Sequence, residues 1–356
     1  VSFPLLFINE GRAVKRTKAL KEGSGAVVSI QADKVNAANN GKLVHLSGMA
    51  STGEELADPT FAVSSNALKL RRVVEMYQWE EDESSKTDKN VGGSTTTKTS
   101  YKYDKVWSDQ LIDSNRFNQA AKYTNPTTMA YESQEWVAKD AKLGAFRLSP
   151  TLIGKITVTE PLSLERDTTV PEEIDQPVKV QGQGFYIGEN PASPTIGDLR
   201  IRYEVVPPTT ISVVAKQTDE NLDRYSTKAG SDILLLESGT LSAKQMFERE
   251  HSNNKMLTWI LRLVGFVMMF IGFCMLFKPL SVLADILPIF GNIVGAGTAL
   301  VSVLLAACLS LLTISIAWVF YRPVLGILLL AISGVIIYLL RNRLKEAKPQ
   351  PQPQLA

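Results

Sequence analysis

Two histidines, His45 and His251, are the only imidazoles in the chain. His45 lies in an alternating stretch that reads as strand, and His251 sits just before an apolar run. Neither belongs to an HExxH motif, a paired Cys/His set or an EF-hand loop, so metal ligation is not expected. Both cysteines, Cys274 and Cys308, fall in apolar sequence, which leaves the polar part with no disulfide framework and no thiolate site. A phosphate loop of the GxxxxGK[ST] type and a GxSxG elbow are both missing. Gly182-Gln-Gly184 lacks the third glycine and the following helix of a dinucleotide site and reads as a loop. The run Glu80-Glu-Asp-Glu83 could hold a cation, but like charges at a hairpin end are more often a solvated loop. Arg71-Arg72 on a strand would point to opposite faces and form no phosphate cradle. The expectation is therefore no catalytic residue, no metal and no cofactor.

Cations beside apolar sequence offer a second kind of chemistry. Arg12, Lys15, Arg16, Lys18 and Lys21 form the densest basic stretch and directly follow the apolar residues 1–8. A run so placed suits lipid headgroups. Nucleic acid is not expected, because the net charge is only +2 and no domain is basic as a whole. Arg262 interrupts a long apolar run near its start. It can snorkel to a membrane surface, and we favour an interfacial anchor beside Trp259 over a specific lipid-phosphate or partner contact. Arg322 precedes Pro323 between two further apolar runs. Proline disfavours helix before it and suits the first turn of a new one. Arg322 thus reads as the tight turn of a helical hairpin at the membrane surface, with Trp318 and Tyr321 as interface aromatics. A sensor arginine in mid-membrane would need one helix of roughly 40 residues running through a proline.

The scaffold for these side chains divides sharply. The chain has 356 residues and is 45% apolar overall, yet residues 10–255 are polar and 256–340 almost wholly apolar. Residues 1–8 are too short for a bilayer core, which takes roughly 20 helical residues. They read as the end of a first membrane helix truncated in this sequence, with a signal-peptide remnant or a plain strand as alternatives. Three further membrane helices are predicted, at 256–277, 294–320 and 324–340. The uncharged stretch from Ile286 to Tyr321 exceeds one span, so Pro288 and residues 291–297 should hold a turn or an interfacial piece. Gly291 and Gly295 have the GxxxG spacing that permits close helix packing. Residues 341–356 form a basic and then Pro/Gln-rich tail.

Residues 9–255 read as one β-rich domain with few helices, which makes the fold class α+β with a C-terminal helical membrane bundle. Strand periodicity is plain at 42–47 and 199–205, and 211–215 is a β-branched run after Pro207-Pro208. The clearest feature is a long hairpin, 69–83 against 95–107, joined by a loop at 84–94. Tyr77, Trp79, Tyr101 and Tyr103 are expected to supply its cross-strand contacts. Helix is predicted over 108–121, and a short surface helix over 242–250 that joins domain to bilayer.

Several segments, taken in order, resemble the transmembrane protein 43 (TMEM43, or LUMA) family. They are Asn9-Glu-Gly-Arg-Ala13, Gly41-Lys-Leu-Val-His45, Lys69 to Trp79, Asn125-Pro126, Met129-Ala130, Glu189-Asn-Pro191, Gly197-Asp-Leu-Arg200, Tyr225 to Leu236 and Phe320-Tyr-Arg-Pro323. The set covers essentially the whole chain and suggests a divergent member, of eukaryotic or bacterial source. The resemblance implies four membrane helices, a large lumenal or extracytoplasmic domain between the first two, and a C-terminus on the opposite side. For a eukaryotic member it implies the endoplasmic reticulum and inner nuclear membrane, with lamin and emerin as partners; a bacterial member would sit in the cytoplasmic membrane. The basic stretch 12–21 would then lie outside, against the positive-inside tendency. Two crossings after Lys255 instead of three would put both basic stretches on one side.

The function expected from residues and resemblance together is a non-enzymatic, multi-pass membrane scaffold. It would self-associate as a homo-oligomer and contact membrane lipid and other membrane proteins. The alternative is a lipid- or ion-handling protein: a channel, scramblase or accessory subunit. Few intramembrane charges argue against a charge-lined pathway.

Overall fold

The computed structural model describes residues 1–89, 95–157, 159–164, 177–181, 183–284 and 288–324. The fold is α+β, with four α-helices among the described residues: α1 (Ser2–Ala26), α2 (Pro150–Ile153), α3 (Ala243–Ala284) and α4 (Pro288–Tyr321). It divides into two compact units. One comprises Lys21–Asp88 and Thr95–Arg249; the other holds Val1–Leu20 and the chain from Glu250 on.

The first unit is built on two seven-stranded sheets. In one, Leu43–Thr52 and Thr209–Thr218 are antiparallel partners, with Leu46 opposite Val213 and Val44 opposite Ala215. Their pairing closes a path that also runs through Ala141–Leu143, Phe146–Arg147 and Asn221–Asp223. In the other, Leu199–Val206 pairs with Lys69–Lys89, with Ile201 opposite Val74. The chain changes sheet at Pro207-Pro208, where prolines cannot continue a ladder. Alternation drives the burial: Leu199, Ile201, Tyr203 and Val205 face the core, while Arg200 and Arg202 face out and both bond Glu75.

One polar group crosses this core. The Arg72 guanidinium lies 2.7 Å from Asp58 Oδ2, and both side chains are buried. The Tyr203 hydroxyl donates to the same carboxylate oxygen at 2.7 Å. Phe61 and Trp136 each present a ring to the guanidinium, at 5.3 and 5.6 Å from the ring centres. Arg71, its neighbour, points the other way toward Glu204, as a strand requires.

Several local expectations change. The strand Lys69–Lys89 takes in Glu80–Glu83, as the expected 69–83 strand did, and runs on through residues 84–89, which were expected as loop. Glu81 accepts bonds from the Tyr103 hydroxyl and the Asn118 amide. Ser85 with Thr99, and Thr87 with Thr97, extend the pairing as hydroxyl contacts. Tyr77 does meet its cross-strand neighbour Trp107, with ring centres 5.1 Å apart. Trp79 and Tyr103 instead both pack on Tyr123. That explains why 108–121 is not an α-helix: Phe117 and Tyr123 are drawn onto the hairpin, and only a single turn forms at Ser114–Arg116, capped by Asp113. Gly184 opens the strand Gly184–Ile187, paired with Val178–Gln181. His45 is a clamp: its ring nitrogens meet Ser29 Oγ at 3.1 Å and the Leu241 carbonyl at 2.8 Å.

The helices are longer than their sequence signals. Asn9–Arg12 does not end α1, which continues to Ala26. The expected short helix at 242–250 is the first part of α3, continuous to Ala284. Ser242 and Gln245 start it as a reciprocal capping box. Helix α4 ends at Tyr321, where the Arg322 amide makes a last bond to the Trp318 carbonyl before Pro323. The third predicted span, 324–340, and the tail, 341–356, lie outside the described residues beyond Val324.

Burial, and then the bond to Asp58, push the Tyr203 phenol far above its ordinary value. The unfolded chain ionises there near pH 10 while the folded chain does not. The associated stability is present in full below pH 10 and is lost as pH rises beyond it. Melting curves recorded from pH 8 to about 11 should show a falling midpoint, and Tyr203→Phe should flatten that fall.

Candidate functional site: a buried polar seam between helices

The unit holding residues 1–20 and 250 onward carries the expected membrane-interface residues, and an unforeseen carboxylate organises them. Glu10, in α1, is fully buried. It accepts from Arg262 Nε at 2.6 Å and Nη2 at 3.0 Å, and from Trp318 Nε1 of α4 at 2.8 Å. Arg262 is thus turned inward, its side chain 15% exposed, with Trp259 and Trp318 rings 4.7 and 6.0 Å from the guanidinium. The snorkelling anchor expected at Arg262 is replaced by an ion pair, because a carboxylate lies within its reach. Trp259 is left 67% exposed.

The seam continues along both helices. Arg12 donates to Asn254 Oδ1 at 2.9 Å, to Thr258 Oγ1 at 3.0 Å and to Asn9 Oδ1 at 3.2 Å. Asn9 donates to the Thr258 carbonyl, and Asn254 to the Ala13 carbonyl. Arg16 pairs with Glu250 at 2.7 Å. On α3 the participants are Glu250, Asn254, Thr258 and Arg262, four residues apart each time, which is one face of a helix. The order of contacts makes α1 and α3 antiparallel. Lys15 points outward and is exposed. Arg322 lies over the Trp318 ring at 5.3 Å.

Close approach makes these bonds possible. A Cβ on Gly11 would fall 2.5 Å from the Tyr321 ring, and one on Gly265 would fall 2.6 Å from Leu6. Phe7 packs on Phe320 and Tyr321, and Leu6 shares an apolar cluster with Met269 and Ala306. The predicted packing glycines, Gly291 and Gly295, fall where α4 side-chain surroundings lie outside the described residues. Chemically the seam pairs each of its carboxylates with a guanidinium, Glu10 with Arg262 and Glu250 with Arg16.

The spacing of Glu250, Asn254, Thr258 and Arg262 could have revealed the seam, since four polar residues on one face of an otherwise apolar helix require partners. Glu10 sat unremarked inside the motif Asn9-Glu-Gly-Arg-Ala13.

The outward surface is of the opposite kind. Stretches of α3 and α4, within Ala243–Pro279 and Gly297–Tyr321, are long and apolar enough to cross a membrane, and only 11% and 22% of them is buried. Leu263, Leu276, Leu304, Leu311 and Phe320 are exposed. A helix in the core of a soluble protein would bury such residues.

Removing one partner of a buried ion pair leaves the other uncompensated, at a cost of about 3–5 kcal/mol. Glu10→Gln and Arg262→Met should each lower the unfolding midpoint of the detergent-solubilised chain. The double variant should recover part of the loss, a coupling that a double-mutant cycle reads directly.

The comparisons with known proteins agree with this membrane-facing architecture. The family described as Transmembrane protein 43 matches residues 76–323. Transmembrane protein 43 of Rattus norvegicus is 37% identical over 359 residues, covering 98% of this chain and 88% of the rat protein. The Homo sapiens protein is 36% identical with the same coverage. A Drosophila melanogaster homolog is 31% identical over 345 residues, covering 95% and 90% of the two chains. No solved structure matches the chain significantly. On the family match and these near full-length identities, the chain is a membrane protein and belongs to the transmembrane protein 43 family.

Proposed function

We propose that this protein is a multi-pass membrane scaffold without a catalytic role, which self-associates and organises other membrane proteins or lipids around a β-rich domain. The observation that carries this reading is the contrast within the helical unit. The polar groups facing the seam are spent on one another, while the outward faces of the long apolar stretches of α3 and α4 are largely apolar. Such a unit is an anchor whose exterior meets lipid or other helices. A lipid- or ion-handling role would need a polar path, and the Glu10–Arg262 charges are instead closed off by Trp318.

The proposed compartment is the endoplasmic reticulum and inner nuclear membrane for a eukaryotic source, or the cytoplasmic membrane for a bacterial one. The large domain would be lumenal or extracytoplasmic. Partners of the lamin and emerin type belong only to the eukaryotic case.

Native mass spectrometry of the chain released from mild detergent tests self-association. Dimers or larger oligomers that persist on dilution are expected. A monomer at every concentration contradicts the scaffold reading.

A further inference from the structure

The level at which the seam ends carries a surplus of positive charge. Tyr321, the last residue of α4, packs at Gly11 of α1, so Lys15 and Lys18 lie about one and two turns beyond the end of α4. Lys255 of α3 adjoins Asn254, which bonds Ala13 and Thr17, and so stands at the same level. All three lysines are exposed. Outward apolar surface starts immediately after Lys255, with Met256, Leu257, Trp259 and Ile260. An exposed tryptophan where lysines give way to aliphatic side chains marks the bilayer interface.

Glu10 and Glu250, which flank this level, are already engaged, Glu10 by Arg262 and Glu250 by Arg16. Among the described residues, Arg12, Lys15, Lys18, Lys255 and Arg322 have no carboxylate within ion-pair distance. Arg12 donates only to the neutral groups of Asn9, Asn254 and Thr258. Three exposed lysines outside any ion pair, with Arg12 and Arg322 close by, thus collect at one end of the described α1, α3 and α4 segments, beside the apolar surface that meets acyl chains.

From this placement we infer that the end of the helical unit bearing Lys15, Lys18 and Lys255 is a binding surface for anionic phospholipid headgroups. The lysines meet the phosphate and any further headgroup carboxylate, while Met256, Trp259 and Ile260 lie against the acyl chains. Each lysine near an anionic surface contributes on the order of 1 kcal/mol, about fivefold in lipid preference. The inference rests on the membrane-embedded part of the proposed reading and is independent of self-association.

The test uses the full chain in mild detergent. Phosphatidylglycerol, phosphatidylserine or phosphatidylcholine is titrated in, and bound lipid and oligomeric state are read from the same native mass spectra. Wild type should retain the two anionic lipids in preference to phosphatidylcholine. A Lys15→Gln/Lys18→Gln/Lys255→Gln variant should lose that preference by tenfold or more while keeping its melting midpoint in phosphatidylcholine, since the three side chains are exposed. The corresponding triple arginine variant should keep the preference. An undiminished preference in the glutamine variant overturns the inference, as does equal retention of all three lipids by wild type. Competition by millimolar inorganic phosphate would also overturn it, by showing a soluble-anion site. Loss of oligomers with the lipid preference intact would count against the scaffold reading alone.

Discussion

The helical unit depends on one buried carboxylate. Glu10 receives three hydrogen bonds from two other helices, two from the Arg262 fork and one from the Trp318 indole. An ionised carboxylate withdrawn from water is tolerable only with such partners, and a guanidinium among apolar side chains has the same need. Each group therefore fixes the other. The rest of the seam follows from that alignment: once Glu10 meets Arg262, the periodicity of two antiparallel helices sets Arg12 against Asn254 and Thr258, and Arg16 against Glu250.

Energetically the ion pair and the apolar packing play different parts. Between helices in a bilayer there is little hydrophobic force to drive association, because lipid tails are as apolar as leucine. Close backbone approach at Gly11 and Gly265 supplies dispersion contacts, and the polar seam supplies register. A one-residue rotation of α1 would remove Glu10 from Arg262 and set Tyr321 against a side chain in place of Gly11. The Asp58–Arg72–Tyr203 group does comparable work in the β-rich unit, where a charge pair lined by Phe61 and Trp136 ties Asp58 to the paired strands that carry Arg72 and Tyr203.

Much of the architecture was legible because it rests on period. Strand 199–206 alternates, 209–218 carries a β-branched run that is buried from 211 to 215, and the apolar helices announce themselves by length. The break at Arg322-Pro323 follows from proline chemistry. What could not be read depended on distant partners. Residues 108–121 have a passable helical pattern, but Phe117 and Tyr123 find Tyr103 in space and the helix does not form. Residues 84–89 looked like loop because their polar composition suggests solvent; strand pairing, with Ser85 on Thr99 and Thr87 on Thr97, holds them extended all the same. Arg262 was noticed as an intramembrane charge, and its partner was missed because Glu10 lies 252 residues away in sequence.

The central claim, that α1 is locked along α3 by this seam, is tested most directly by disulfide trapping in native membranes. In a chain with Cys274→Ser and Cys308→Ser, cysteines at Leu6 and Gly265 replace two residues in direct contact. The account predicts rapid cross-linking under mild oxidation, and none between cysteines at the outward positions Ile8 and Leu276. Failure of the Leu6–Gly265 pair to cross-link, or equal yield from the outward pair, would contradict it.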